Sequence, residues 1–227
     1  LSILSDGFSG EDLASGGENI FVLDADGKKI ASVAIGTKKA EVVAGPDQLS
    51  DPKSIAAYED RVFVLTEDGV DEAGEEQKEV IDKNWTSGPE GSEVLPYAYA
   101  GNFYVVDKAE NMIWRYPGIS GGDFGEGRGW LAEGISADFS SAISLTIDGS
   151  IWILTSSNRI LKFSQGVGQN FSISSLAPAL EEVSSIYTNE ENESIYILER
   201  SKNRVVVLDK DGKFRAQYLS DKIGEAS

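Results

Sequence analysis

The 227-residue chain contains no cysteine and no histidine. Without cysteine there is no disulfide and no thiolate nucleophile, and without histidine there is no imidazole base. The two absences together remove zinc sites of the usual nitrogen and sulfur type. Any metal must sit on oxygen ligands, which suits calcium or magnesium. Lack of cysteine leaves the compartment open, since it fits a cytosolic or an extracytoplasmic protein. Long apolar runs are also missing, and none approaches the ~20 residues that a membrane-spanning helix needs. Positive charge is scarce: 20 Lys and Arg against 38 Asp and Glu give a net charge of −18, with the basic residues scattered. Such a surface disfavours nucleic acid and anionic membranes, which need clustered Lys and Arg. Helical patterning is absent too. The best amphipathic stretch, residues 71–82 (DEAGEEQKEVID), is mostly charge and follows the Asp68-Gly69 turn, so it reads as a solvated hairpin loop running into an outer strand.

What is present is a repeat. Residues 194–214 hold two apolar runs, IYIL and VVVL, separated by the polar stretch ERSKNR and followed by Asp211-Gly212. Asp-Gly suits the positive φ angles of a tight hairpin. Similar units recur upstream, each with a bulky ring inside an apolar run: Phe21, Phe63, Tyr104, Trp152 and Tyr196, at intervals of 42, 41, 48 and 44 residues. A spacing of ~40–50 residues with strand-like content only is the signature of a β-propeller. Each unit fills out to four strands. The inner ones are expected near 13–15, 55–57, 97–99, 144–146 and 186–188, and the outer ones near 41–43, 79–81, 130–132, 171–173 and 215–219. The third strand of unit two is the least clear.

The fold expected is therefore all-β: a single β-propeller domain over 1–227, built of four-stranded antiparallel blades over about 6–45, 46–92, 93–135, 136–180 and 181–220. The aromatic strand is apolar at consecutive positions, so both its faces are to be buried and neighbouring blades must stack on it. Each buried Trp or Tyr removes ~150–250 Å² from water, worth roughly 4–6 kcal/mol gross.

Units three to five resemble NHL repeats, a family of propeller blades, through Gly101 to Asp107 followed by Asn111 and Ile113, Gly149 to Thr155 followed by Asn158-Arg159, and Asn203-Arg204-Val205. Units one and two lack the Asn-Arg pair, and Glu199 stands where the family has Asp. The resemblance implies a propeller of the six-bladed, TolB-like type with about five blades present. Residues 1–5 (LSILS) alternate like an outer strand, so they are expected to close a sixth blade whose inner strands lie beyond Ser227; alternatively they are a leader or join unit five directly. The first residue, Leu1, suggests a processed protein, an excised domain or a fragment. Residues 41–49 (EVVAGPDQL) and 113–118 (IWRYPG) are also similar to the propeller module joined to PPM-type Ser/Thr phosphatases of uncultivated bacteria. That similarity implies the extracytoplasmic, sensory part of a membrane-anchored bacterial protein, with no phosphatase chemistry in this chain.

No catalytic residue set and no dedicated metal site stand out. The loops joining second and third strands carry Asp24, Asp107, Asn111, Asn158, Glu199 and Asn203, the candidate ligand-binding residues at one end of the channel. Ordinary polar loop surface is the competing reading. Asp24-Ala25-Asp26-Gly27 and Asp209-Lys210-Asp211-Gly212 contain part of a calcium loop but lack its distal Glu, so they read as hairpin turns. The glycine-rich residues 121–129 precede a strand rather than a helix and carry Asp123 and Glu126, which favours a flexible loop over a phosphate cradle. Three N-x-[ST] triplets, at Asn84, Asn170 and Asn192, read as chance. The leading function is a non-catalytic recognition, sensor or scaffold module for a protein, peptide or small ligand, with no cofactor. The alternative is a calcium-dependent, lactonase-like hydrolase of the six-bladed class, whose inward carboxylate set is not found at matched inner-strand positions. RNA binding, known for some NHL propellers, is opposed by the charge of −18.

Overall fold

A computed structural model of the protein describes residues 8–74, 77–83, 85 and 94–223. Residues 1–5, Asn84 and the last four residues lie outside that set. Among the described residues there are twenty strands in five four-stranded antiparallel sheets. Blade 1 is β1 (Asp12–Gly16), β2 (Asn19–Asp24), β3 (Lys29–Ala34) and β4 (Ala40–Ala44). Blade 2 is β5 (Ser54–Tyr58), β6 (Arg61–Leu65), β7 (Gly69–Ala73) and β8 (Lys78–Asp82). Blade 3 is β9 (Leu95–Tyr99), β10 (Asn102–Asp107), β11 (Met112–Tyr116) and β12 (Arg128–Gly129). Blade 4 is β13 (Ala142–Ile147), β14 (Ile151–Thr155), β15 (Ile160–Ser164) and β16 (Val167–Gln169). Blade 5 is β17 (Val183–Tyr187), β18 (Ser194–Glu199), β19 (Arg204–Asp209) and β20 (Phe214–Leu219). Each sheet is a simple meander, and the inner strands β1, β5, β9, β13 and β17 pack side by side in that order. The protein is an all-β propeller of four-stranded blades, five of them present. The helical content among the described residues is two 3-10 turns, Arg200–Lys202 and Asp221–Ile223.

Four cores separate the five blades, and they are built alike. The ring at the repeat position packs forward onto the following blade: Phe21 with Val62 and Val64, Phe63 with Phe103 and Val105, Tyr104 with Ile151 and Ile153, Trp152 with Ile195 and Ile197. Alternate residues of one strand point to opposite faces, so the second strands of blades 2, 3 and 4 each supply rings or branched chains to two cores. That is why the interior second strands read as unbroken apolar runs.

Two outer strands depart from expectation. In blades 3 and 4 the ladder uses residues 128–129 and 167–169, upstream of 130–132 and 171–173. The reason is packing. Trp130 and Leu131 turn onto the core between blades 3 and 4, and Phe171 and Ile173 onto the core beside Trp152, so these side chains leave the sheet edge. In blade 2 the stretch read as a solvated loop contains strand: β7 runs to Ala73 and pairs with β6 and β8. It starts at Gly69, where a Cβ would lie 2.1 Å from the Ile81 carbonyl oxygen, so only glycine allows the strand to begin there. The glycine-rich segment is not a free loop either. Phe124 within it stacks edge-on against Phe63 and Phe103, at 5.4 and 5.8 Å between ring centres.

Candidate functional site

The five inner strands line a cleft of about 510 Å³. Its wall mixes aliphatic side chains with hydroxyls: Ser54, Tyr97, Ser144, Thr146 and Tyr187 all face it. Among the described residues, Asp12 is the one ionisable carboxylate on this wall. Its Oδ2 accepts from Ser54 Oγ at 2.5 Å and from the Ile55 backbone N–H at 2.9 Å, which ties β1 to β5. Ser144 Oγ accepts from the Ile186 N–H at 3.1 Å, and Thr146 Oγ1 donates to the Thr188 carbonyl at 2.9 Å, which ties β13 to β17. Tyr97 Oη lies 3.2 Å from Thr146 Oγ1, bridging β9 and β13, and burial pushes its phenol above the ordinary value. Tyr97 is therefore neutral at physiological pH. The wall thus offers neutral donors, acceptors and apolar surface, with one carboxylate at the margin. Among the described residues, no three Asp or Glu side chains converge as a metal would need.

These residues were not singled out from sequence as a site. The signal is present but faint: inner strands carry Ser, Thr and Tyr along their length, whereas the central positions of the second strands are all aliphatic or aromatic. Periodicity marks a strand as buried without telling whether it faces a core or a channel.

The structure places the candidate loop residues at one end of the ring, one or two from each blade except blade 2, which supplies none, with their polar atoms held locally. Asp24 Oδ1 accepts from the Gly27 N–H at 2.7 Å and Oδ2 from the Ser9 N–H at 3.2 Å. Asp107, fully buried, accepts from the Ala109 and Glu110 N–H groups. Asn111, Asn158 and Asn203 each occupy the left-handed region, with φ of 54°, 61° and 50°, a conformation that asparagine tolerates better than most residues. From there Asn111 Oδ1 accepts from the Phe139 N–H at 2.7 Å and Asn158 Oδ1 from the Val183 N–H at 3.3 Å. Both asparagines thus clip their own loop to the segment that leads into the next blade. The two D-x-D-G stretches are turns capped by their first Asp, Asp209 Oδ1 accepting from Lys213 N–H at 2.8 Å.

Glu199 is the most constrained of the six. It has no exposed side-chain surface, and its Oε2 accepts from Arg204 Nε at 2.6 Å while Oε1 accepts from Lys202 Nζ at 3.0 Å and the Glu181 N–H at 2.9 Å. Arg204 also donates to the Pro178 carbonyl at 3.1 Å and to Gln217 Oε1 at 2.9 Å. Burial alone would push the Glu199 carboxyl up; the hydrogen bonds from Arg204, Lys202 and the Glu181 N–H outweigh it and hold the group below the usual carboxylate range. The network fastens the β18–β19 loop of blade 5 to the connection from blade 4.

With this geometry in view, comparison with known proteins adds the fold and no more. No protein-family model and no curated protein sequence matches the chain. Solved structures do. A chain of a nidogen/laminin complex matches with a TM-score of 0.65 at 14% identity, covering 93% of this chain and 80% of that one. A calcium-binding regucalcin from Agrobacterium tumefaciens matches at 0.61 and 12% identity, covering 93% and 74%. A catalytically inactive virginiamycin B lyase from Staphylococcus aureus, solved with quinupristin, matches at 0.57 and 15% identity, covering 96% and 72%. What this chain shares with a protein of a protein–protein complex, a calcium-binding protein and a lyase is the β-propeller architecture.

Proposed function

We propose that this chain is a non-catalytic recognition module whose central cleft holds a small uncharged ligand or a short uncharged stretch of peptide. The observation that carries the reading is the chemistry of the wall: Tyr97, Thr146, Ser144 and Tyr187 supply hydroxyls beside apolar surface, with Asp12 as the sole ionisable carboxylate. Clefts of this size with a few placed polar groups in an apolar lining are typical of small-ligand sites. A rigid ring with variable loops suits recognition, because the scaffold holds the site while the loops differ. The resemblance to phosphatase-linked propellers supports a sensory role in a larger bacterial polypeptide. The loop residues Asp24, Asp107, Asn111, Asn158, Glu199 and Asn203 then act chiefly by holding the ring's shape.

The test is native mass spectrometry of the protein after incubation with a small-molecule extract, repeated with Tyr187→Ala and Tyr97→Phe. A bound mass retained by the parent and lost or weakened at least about tenfold in either variant, about 1.4 kcal/mol of binding, supports the reading. A bound mass indifferent to both substitutions places recognition elsewhere. Calorimetric titration with calcium tests the hydrolase alternative, to which the fold of the calcium-binding regucalcin lends its support. Micromolar calcium binding would favour that alternative over the neutral cleft.

A further inference from the structure

The forward-packing rule stops at blade 5. Tyr196 occupies the position of Phe21, Phe63, Tyr104 and Trp152, yet it belongs to none of the cores and is only half-buried. The rule fails in mirror image at blade 1, where Ile20 and Val22 take the position of Val62 and Val64, Phe103 and Val105, Ile151 and Ile153, Ile195 and Ile197, and are half-buried as well. The strand register extends both open faces across whole sheets. On blade 1, Leu13, Val22, Ala31 and Val42 lie in one row; on blade 5, Tyr187, Tyr196, Val207 and Ala216 form one row and Leu198, Val205 and Tyr218 another, with only the central Ala31 and Val207 buried among them. Leu13, Val42 and Tyr218 are 64%, 60% and 62% exposed, unusually high for apolar residues set in sheet faces. Contiguous apolar surface of that kind marks an interface.

A second observation is independent of burial. Asn111 and Asn158 each accept a backbone N–H from the segment leading into the following blade. Asn203 has the same left-handed backbone in the same loop of blade 5, and its side chain accepts no such N–H among the described residues. The clip is in place without a blade to hold.

We infer that the space between blade 5 and blade 1 is the seat of a sixth four-stranded blade, supplied by polypeptide adjoining these residues; this rests on the open sheet faces and not on the proposed ligand, and the new inner strand would complete the cleft wall between β17 and β1. Its second strand is apolar on both faces. One face receives Tyr196 and Leu198, the other meets Ile20 and Val22, and its lead-in segment donates an N–H to Asn203. Direct closure of a five-blade ring would set Tyr196 against Ile20 and Val22 and bury all three, which is not what is found. A second copy of the chain is the poorer occupant, because each copy carries a charge of −18 and the two repel. The solved chains that share the fold point the same way: they leave uncovered a fifth to just over a quarter of their length, a repeat or more.

The chain has no cysteine, so a single introduced thiol reports on its own site. Leu13→Cys and Tyr218→Cys are made in the 227-residue chain and in the polypeptide extended through the adjoining codons of its gene, and labelled with a maleimide. The expected result is a further repeat in those codons, labelling at surface rates in the short form, and labelling at least about tenfold slower at both positions in the extended form. As a second readout, Asn203→Ala lowers the melting temperature of the extended form as much as Asn158→Ala does. The inference is overturned by the absence of a repeat in the adjoining codons, or by equal labelling in both forms. Slow labelling in the short form overturns it too: concentration-independent protection means direct closure, and concentration-dependent protection means a second copy.

Discussion

Strands β14 and β18 are nearly the same sequence object, IWILT and SIYILE, and they live in different surroundings. All five residues of β14 are buried, whereas β18 alternates strictly between buried and half-buried. The difference does not come from the strands. β14 has blades on both sides, and β18 has one. In a stacked-sheet protein a residue's burial belongs to its neighbour as much as to itself, so equal hydrophobicity carries unequal stability.

That contrast can be broken or sharpened by measurement. The largest effect falls on Trp152, which is 1% exposed, packs edge-on against Phe171 at 5.2 Å and donates from Nε1 to Asp148 at 2.7 Å. Trp152→Ala is expected to cost about 3–5 kcal/mol, and Tyr196→Ala less than half of that, roughly 1–2 kcal/mol. Urea denaturation of the two variants measures both; equal losses would erase the distinction between interior and terminal blades.

Glu199→Ala comes next, at about 3 kcal/mol, because it leaves Arg204 buried without its partner. The same pair gives a pH dependence. Since the Glu199 carboxyl is held below its ordinary value in the folded state, its contribution is complete above the unfolded value of roughly 4.3 and is lost as pH falls through the lower folded value. Asp209, through the Lys213 and Asp211 N–H groups and Arg215, and Asp138, through hydrogen bonds from Ser140, shift in the same direction. Melting temperatures between pH 6 and pH 3 are expected to fall more steeply for the parent than for Glu199→Gln; parallel curves would remove Glu199 from the acid response.

A smaller difference separates the clips. Asn158→Ala is expected to cost about 1–2 kcal/mol, combining an inter-blade hydrogen bond with left-handed strain. Asn203→Ala in the same chain incurs only the left-handed strain, about 1 kcal/mol or less. The smallest effect is Lys162→Ala, which removes a charge lying 4.3 Å from the Trp152 ring and costs about 0.5–1 kcal/mol. Thermal melts of the three variants, ranked against each other, test the order.

Much of this architecture was legible beforehand. The spacing of Phe21, Phe63, Tyr104, Trp152 and Tyr196 marks five units, and four of the five rings do sit between blades. The outer strands of blades 3 and 4 were misplaced because Trp130, Leu131, Phe171 and Ile173 look equally apolar at a sheet edge and in an inter-blade core. Strand β7 was hidden by its composition: Gly-Val-Asp-Glu-Ala has little apolar pattern, and its place is set by pairing with β6.

Order of residues alone was enough to specify the repeat, the all-β class, the tight turns and the exclusion of thiol, imidazole and zinc chemistry. These are local properties: a ring every forty-odd residues, an Asp-Gly at a turn, a residue type that is absent. The tertiary structure alone decided which hydroxyls meet across the central cleft, that the loop asparagines clip one blade to the next, and that two apolar sheet faces stand open. Those facts depend on pairs of residues some 25 to 49 positions apart, such as Tyr97 with Thr146 and Asn158 with Val183. No run of the sequence contains both partners of a contact that only the stacking of blades creates.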